Sequence, residues 1–110
     1  MKIHLVKEKT IRNYVLENSG SKIPFEKWLS KLRKADWNNP ADIMNSFPAA
    51  DLLGKRSHRA VFDIGGNNYR MICKYAFGEN EAHLFVCWIG THGEYDELCS
   101  DKKQFSINMY

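Results

Sequence analysis

The chain has 110 residues, 44% hydrophobic and 26% charged, with a formal net charge of +3 at pH 7. This size and balance predict a single folded domain over residues 1–110 and argue against a disordered chain. No apolar run approaches the roughly 18 residues of a membrane span. Residues 1–9 show no signal-peptide pattern, so we expect a cytoplasmic protein without a membrane partner.

The charge is unevenly distributed along the chain. Residues 1–59 carry 12 Lys/Arg against 6 Asp/Glu, a balance of +6, whereas residues 60–110 carry 4 against 7, a balance of −3. The densest basic segment, Lys55–Arg59, suggests a polyanionic partner. A solvated cationic surface explains the same pattern, and the composition leaves both interpretations open.

The first part of the chain predicts one strand and two helices. Alternation over Ile3–Val6 is typical of a short strand, and Glu8–Asn18 has a helical period that ends near Gly20. A second helix begins at Ser21–Pro24, because a proline in the first turn costs no hydrogen bond. Its apolar residues recur at i, i+3, i+4 and i+7, the spacing of a buried face: Phe25, Trp28, Leu29 and Leu32.

Three lysines share the opposite face of this helix: Lys27, Lys31 and Lys34. Such a row can contact phosphates or simply form the solvated side of an amphipathic helix, and we favour the solvated side. Farther on, Asn39 and Pro40 predict the start of a short helix that runs through Ser46. Residues 49–57 are predicted to form a loop.

The second part predicts three strands and a short helix. Val61–Ile64 and Tyr69–Phe77 are β-rich and are joined by Gly65–Asn68, whose residues tolerate positive φ. His83–Ile89 is apolar on both faces, as a central strand is. A helical turn follows this strand. The tail at residues 100–110 has no strong period, and we expect it to be loosely ordered.

This order predicts an α+β fold, with N-terminal helices packed on one face of a small twisted antiparallel sheet and a short C-terminal helix. In the middle strand, Arg70 and Lys74 share one side with Ile72 and Ala76. Because a core face rarely contains Arg and Lys, we expect this side of the sheet to be open to a ligand.

No pattern in the chain predicts a metal or a cofactor. The four histidines are dispersed and lack ligand spacing: His4, His58, His83 and His92. The three cysteines lack CxxC spacing, which predicts reduced and mostly buried thiols.

Four segments resemble the HigB family, toxins of bacterial toxin–antitoxin systems within the wider RelE-like group. The resemblance extends over residues 1–98, with the segments in the same order and at similar spacing. The segments are Lys34–Ile43 (KADWNNPADI), Ala50–Gly54 (ADLLG), Arg59–Ile72 (RAVFDIGGNNYRMI) and Gly90–Asp96 (GTHGEYD).

The resemblance implies a RelE-like fold and an mRNA interferase that cleaves messages on the translating ribosome. It also implies a partner, a cognate antitoxin that usually carries a helix-turn-helix DNA-binding domain and holds the toxin inactive. Arg70 occupies the YR position of the family, and His92, Tyr95 and Asp96 occupy its THxEYD motif.

Metal-free RNA cleavage by the ribose 2′-OH gives these residues physical roles. His92 can serve as acid or base near neutral pH, and Arg70 can stabilise charge on the phosphorane. Tyr95 can donate a proton, orient the phosphate or stack on a base. We therefore predict Arg70, His92 and Tyr95 as catalytic residues.

Four basic residues are predicted to bind RNA. Arg59 and Lys74 are candidates for phosphate contacts near the site, and Lys55 and Arg56 for contacts with ribosomal RNA.

Each assignment has a structural alternative. Arg70 can pair with Asp63 across the hairpin, His92 can anchor the turn, and Tyr95 can be a packing ring. At the level of function, the chain can instead be a module that binds RNA or the ribosome and blocks translation without cleavage. It can also be a catalytically dead toxin retained to bind an antitoxin.

Overall fold

The computed structural model describes residues 1–110 and has the predicted α+β composition. The strands are β1 (Lys2–Val6), β2 (Asp51–Leu53), β3 (Arg59–Ile64), β4 (Tyr69–Phe77) and β5 (Glu81–Thr91). The helices are α1 (Lys9–Glu17), α2 (Lys22–Arg33), α3 (Ile43–Ser46) and α4 (His92–Ser100), with short 3₁₀ turns at Ser19–Ser21 and Pro40–Asp42. No helix is both long and apolar enough to span a bilayer.

The five strands form one mixed sheet in the order β1-β5-β4-β3-β2. Strands β3 to β5 pair antiparallel, as predicted, and β2 pairs antiparallel with β3, whereas β1 runs parallel to β5 at the sheet edge. The prediction of a wholly antiparallel sheet was therefore incomplete. Alternation within Ile3–Val6 identifies a strand but does not give its direction. Strand β5 lies inside the sheet, and β4 occupies the middle position.

Strand β2 corrects the predicted loop over residues 49–57. Asp51 pairs with Val61 and Leu53 with Arg59, so this three-residue segment extends the sheet beyond β3. Three residues are too few to show a period of two, and the strand exists because β3 offers it a partner edge.

The helices α1 and α2 cover the first face of the sheet. All four predicted apolar residues of α2 are buried: Phe25, Trp28, Leu29 and Leu32. The Trp28 ring stacks on Phe47 with a centroid distance of 5.4 Å and meets Phe62 of β3 edge-on at 5.2 Å. This face therefore holds the main core, and the predicted amphipathic packing of α2 is confirmed.

The second face of the sheet, which the sequence predicts to be open, is covered in large part by α4 and the tail. A second apolar cluster lies beneath them: Val61, Ile72, Cys87, Trp88 and Leu98. The prediction was wrong for Ile72, which is fully buried, and for Arg70, whose charge is paired within the hairpin, whereas Lys74 and Ala76 are exposed.

The tail, residues 101–110, crosses this second face in a defined path, contrary to the loose order expected from its sequence. The Met109 N–H donates to the Cys87 carbonyl at 2.8 Å. Cys87 lies two residues past Phe85, where the pairing of β5 with β1 ends. Ile107 packs against the second cluster, and the Arg59 guanidinium donates to the Ile107 carbonyl at 2.5 Å. Both hydrogen bonds use backbone atoms of the tail, which explains why no sequence period marks them.

Candidate active site

The three predicted catalytic residues lie at one end of the sheet. Register places Arg70 of β4 opposite Gly90 of β5, two residues before His92. The His92 N–H, at the start of α4, donates to the Asn68 carbonyl at 3.2 Å. The β3–β4 turn, the end of β5 and the first turn of α4 therefore meet at one place.

The β3–β4 turn is fixed by two glycines in the left-handed region. Gly65 has φ +66° and Gly66 has φ +67°, values that side-chain-bearing residues rarely adopt. A Cβ on Gly65 would also lie 3.0 Å from the Pro24 Cγ of α2. Glycine at this position lets the hairpin end close against α2.

Arg70 is held by the hairpin through all three of its guanidinium nitrogens. Nε lies 3.1 Å from Oδ1 of Asp63, its partner in register, so the Arg70–Asp63 pair proposed as an alternative is present. Nη1 donates to the Gly66 and Tyr69 carbonyls, and Nη2 donates to Asn67 Oδ1, each at 3.2 Å. The side chain is 11% exposed. A phosphate that binds Arg70 would therefore have to share its N–H donors with the acceptors of the hairpin or displace those acceptors.

Tyr95 lies half-buried on α4 beside Arg70. Burial, with a hydrogen bond to Cys99 and the charge of Asp51, raises the pKa of the Tyr95 hydroxyl well above its usual value, and the positive charge of Arg70 opposes the rise only in part. The hydroxyl therefore stays protonated at neutral pH, so it can act as a donor but not as a base.

The position of Tyr95 depends on a glycine in β5. A Cβ on Gly90 would lie 2.5 Å from the ring of Trp88. Trp88 in turn packs against Tyr95 with a centroid distance of 6.1 Å. Without a side chain at position 90, the indole can lie against the strand and support the Tyr95 ring.

His92 is the most accessible of the three residues, with a side chain that is 48% exposed. Its Nε2 lies 3.5 Å from the Asp96 carboxylate one helical turn later. A capping box sets the start of the helix: the Glu94 N–H donates to Thr91 Oγ1 at 3.2 Å, and the Thr91 N–H donates to Glu94 Oε1 at 2.8 Å. His92 is thus presented to solvent from a fixed helix start.

The four predicted RNA-binding residues differ in accessibility. Lys55 and Arg56 are exposed in the β2–β3 loop with φ values of +59° and +56°, and the Lys55 ammonium lies 4.7 Å from the Phe105 ring centroid of the tail. Lys74 is exposed on β4, opposite Arg59 in register. Arg59 is buried because the tail accepts its guanidinium hydrogen bonds. A phosphate can reach Arg59 only if the tail shifts.

Four cavities of the molecule lie away from this site. Their volumes are about 340–550 Å³, and none of the four is lined by Arg70, His92 or Tyr95. The cavity behind the hairpin turn is lined by Lys27, Lys31 and Asp63, so two of the three lysines of α2 lie beside the turn. The candidate active site is therefore a surface site at the rim of the sheet.

Some residues of this site carry no sequence pattern that would reveal them. Asp51 contributes charge beside Tyr95, and Asn67 accepts a hydrogen bond from Arg70. Asp51 comes from the segment predicted to be a loop, and only the pairing of β2 with β3 brings it to the site. Nothing in its local sequence distinguishes it from a surface carboxylate.

Two comparisons agree with this architecture. A family model described as the HigB toxin, the RelE-like toxic component of a toxin–antitoxin system, matches residues 21–98. The mRNA interferase HigB of Escherichia coli O6:H1 (strain CFT073) is 32% identical over 92 residues, which cover 71% of this chain and 87% of that protein.

The matched family model, with which the observed fold is compatible, identifies a RelE-like toxin of a toxin–antitoxin system; the candidate active site formed by Arg70, His92 and Tyr95 is called the hairpin-end site below. Within that class, the chain belongs to the HigB toxin family. Most of α4 lies within the matched region, whereas the tail lies outside it.

Proposed function

We propose that this chain is an endoribonuclease that cleaves mRNA as the toxin of its toxin–antitoxin system. The observation that carries the proposal is the convergence of Arg70, His92 and Tyr95 at one end of the sheet, in a chain that belongs to the HigB family. The relative from Escherichia coli bears the name mRNA interferase, which supports the same activity.

The proposed reaction is attack of a ribose 2′-OH on the adjacent phosphorus. His92, exposed and next to Asp96, takes the 2′-OH proton, and the P–O5′ bond breaks as the new P–O2′ bond forms. The products are a 2′,3′-cyclic phosphate and a 5′-OH, whose proton is supplied by a donor at the leaving oxygen. We assign that role to Tyr95, whose hydroxyl is protonated at neutral pH and lies near Arg70.

Arg70 contributes positive charge beside the reacting phosphate in this proposal. Its guanidinium is pre-oriented by Asp63 and the turn carbonyls, so little reorganisation accompanies the growth of charge on the phosphorane. Lys55, Arg56 and Lys74 supply further cations for RNA, and Arg59 joins them only if the tail shifts.

The proposal extends to the setting of the reaction. We infer that cleavage takes place on translated messages at the ribosome, that the protein acts in the cytoplasm, and that a helix-turn-helix antitoxin neutralises it. The family description supplies the toxin–antitoxin context that supports these points.

Expression without an antitoxin tests the proposal. We expect growth arrest, with breaks only in messages that are being translated, when ends are mapped by primer extension. If bare RNA without ribosomes is cleaved at the same rate as translated messages, the inference that cleavage depends on the ribosome is wrong. Normal growth with verified soluble protein would remove the toxin activity itself.

One observation favours a second function, inhibition of translation by binding without cleavage. Every guanidinium nitrogen of Arg70 already has an acceptor in the hairpin, as a purely structural arginine would. Arrest of translation with intact messages would support this second function.

A further inference from the structure

A groove lies on the second face of the sheet, between the tail and the β1–α1 turn. Its volume is about 550 Å³, and its walls include Lys7 of the turn, Lys74 of β4, Phe85 of β5, and Asn108 and Tyr110 of the tail. None of the three proposed catalytic residues lines it. The tail, which forms one wall, lies outside the part of the chain that matches the family model.

The charged side chains that line this groove are all basic. Three cations line it, Lys7, Arg59 and Lys74, and no aspartate or glutamate does. Lys7 and Lys74 are exposed, whereas the Arg59 guanidinium is bonded to the tail backbone. A cleft lined by basic side chains and by no acidic side chain attracts a polyanion.

An exposed aromatic surface adjoins these cations. Phe85 is 40% exposed on β5, directly opposite Lys74 in register, and Tyr110 across the groove is 43% exposed. The Phe85 ring stacks with His83 at a centroid distance of 6.3 Å, and His4 of β1 meets His83 edge-on at 5.7 Å. An accessible ring that is flanked by lysines offers both a stacking surface for a base and a partner for its phosphate.

The backbone conformation of Lys7 is a further observation about this groove. Its φ of +59° lies in the left-handed region, where a side chain other than glycine is disfavoured. A glycine would fit this turn at least as well as lysine does, so the fold itself does not require the lysine side chain.

We propose that this groove binds a single strand of RNA, with a base stacked on Phe85 and flanking phosphates paired with Lys7 and Lys74. The proposal rests on the proposed function in taking RNA as the partner, and it adds a contact surface separate from the hairpin-end site. The tail forms one wall of the surface, so the surface is built partly by residues outside the family match.

Fluorescence anisotropy with a labelled single-stranded RNA of about ten nucleotides tests the groove without ribosomes. Lys7→Gly should weaken binding about fivefold near 0.1 M salt and lower the log–log salt slope by about 0.7, the value for one lost contact to a single strand. Its melting temperature should stay within a few degrees of the parent. Phe85→Ala should weaken binding by roughly 5- to 100-fold and leave the salt slope unchanged.

Matched controls lie on the helical side of the molecule. Lys34→Ala removes an exposed cation at the end of α2, and Leu16→Ala removes an exposed apolar side chain from α1. Both should bind the RNA as the parent does. Equal losses of RNA affinity for Lys34→Ala and Lys7→Gly would overturn the proposal, because overall charge would then explain the binding. RNA affinity equal to that of the parent for Phe85→Ala would show that no base stacks on Phe85 and would also overturn it.

Two further outcomes separate the groove from the proposed function. If the parent cuts messages while Lys7→Gly and Phe85→Ala bind RNA normally, the groove is wrong and the nuclease stands. If the substitutions weaken RNA binding as expected but the parent cuts no message, the groove stands and the nuclease fails. Loss of antitoxin binding by Phe85→Ala, with RNA binding unchanged, would make this a protein surface and overturn the proposal.

Discussion

Arg70 and Asp63 face each other across the β3–β4 hairpin, with Nε of the arginine 3.1 Å from Oδ1 of the aspartate. The arginine side chain is 11% exposed and the aspartate 31%, so the pair is largely shielded from solvent. Because Arg70 also donates to the turn carbonyls, this pair couples the shape of the turn to the position of the guanidinium.

Loss of the Asp63 carboxylate should therefore lower the stability of the fold. Asp63→Ala leaves a shielded arginine without its counter-ion, which we expect to lower the free energy of unfolding by about 1–3 kcal/mol. Asp63→Asn retains an acceptor and should cost less than Asp63→Ala. Denaturant melts of both variants give the free energies. An Asp63→Ala variant as stable as the parent would show that the pair contributes little to the fold.

The raised pKa of Tyr14 predicts a loss of stability at alkaline pH. Burial, with the nearby charge of Glu94, raises the pKa of Tyr14 to about 12 from its usual 10. Between these values the unfolded chain loses this proton and the folded chain keeps it, so stability that is fully present below pH 10 falls as the pH rises from 10 to 12. Tyr14→Phe should reduce that fall in melts between pH 9 and pH 12, whereas an unchanged fall would contradict the pKa shift.

The β2–β3 loop allows RNA contacts to be separated from folding. Lys55 and Arg56 both have positive φ, so replacing both with glycine removes two cations at positions whose backbone suits glycine. We expect Lys55→Gly with Arg56→Gly to keep its melting temperature within a few degrees. Its ribosome binding should weaken, with the log–log salt slope reduced by on the order of one unit per lost contact.

If the double variant has the same log–log salt slope of ribosome binding as the parent, Lys55 and Arg56 make no RNA contact and belong to a solvated loop. Arg33→Ala with Lys34→Ala is a matched control, because it removes one exposed arginine and one exposed lysine at the end of α2.

Much of the fold follows from local sequence patterns. The α2 stripe predicts burial of Trp28, and Gly65–Asn68 predicts the hairpin turn, because each depends on neighbours within a few residues. The parallel pairing of Ile3–Val6 and the existence of β2 depend on distant partners, and no local period encodes them.

The candidate site divides in the same way. The resemblance places Arg70, His92 and Tyr95 on family motifs, and the structure brings them to one end of the sheet. The sequence does not predict that the tail buries Arg59, because that contact uses carbonyl oxygens that every residue possesses. A side-chain pattern cannot predict a contact made to backbone atoms.

The central claim is that the hairpin-end site cleaves RNA, and His92 is the residue that tests it most directly. Its side chain is 48% exposed, so truncation should cost little stability. Arg70 is a poorer test, because its truncation also removes the turn contacts. The measurement is the cleavage rate of a translated message in a reconstituted translation system, paired with a thermal melt of the same His92→Ala protein.

We predict that His92→Ala lowers the cleavage rate by about 10²–10³-fold, equivalent to roughly 3–4 kcal/mol of transition-state stabilisation, with the melting temperature within a few degrees of the parent. A rate within a few-fold of the parent would contradict the assignment of His92 as the acid–base residue of this site.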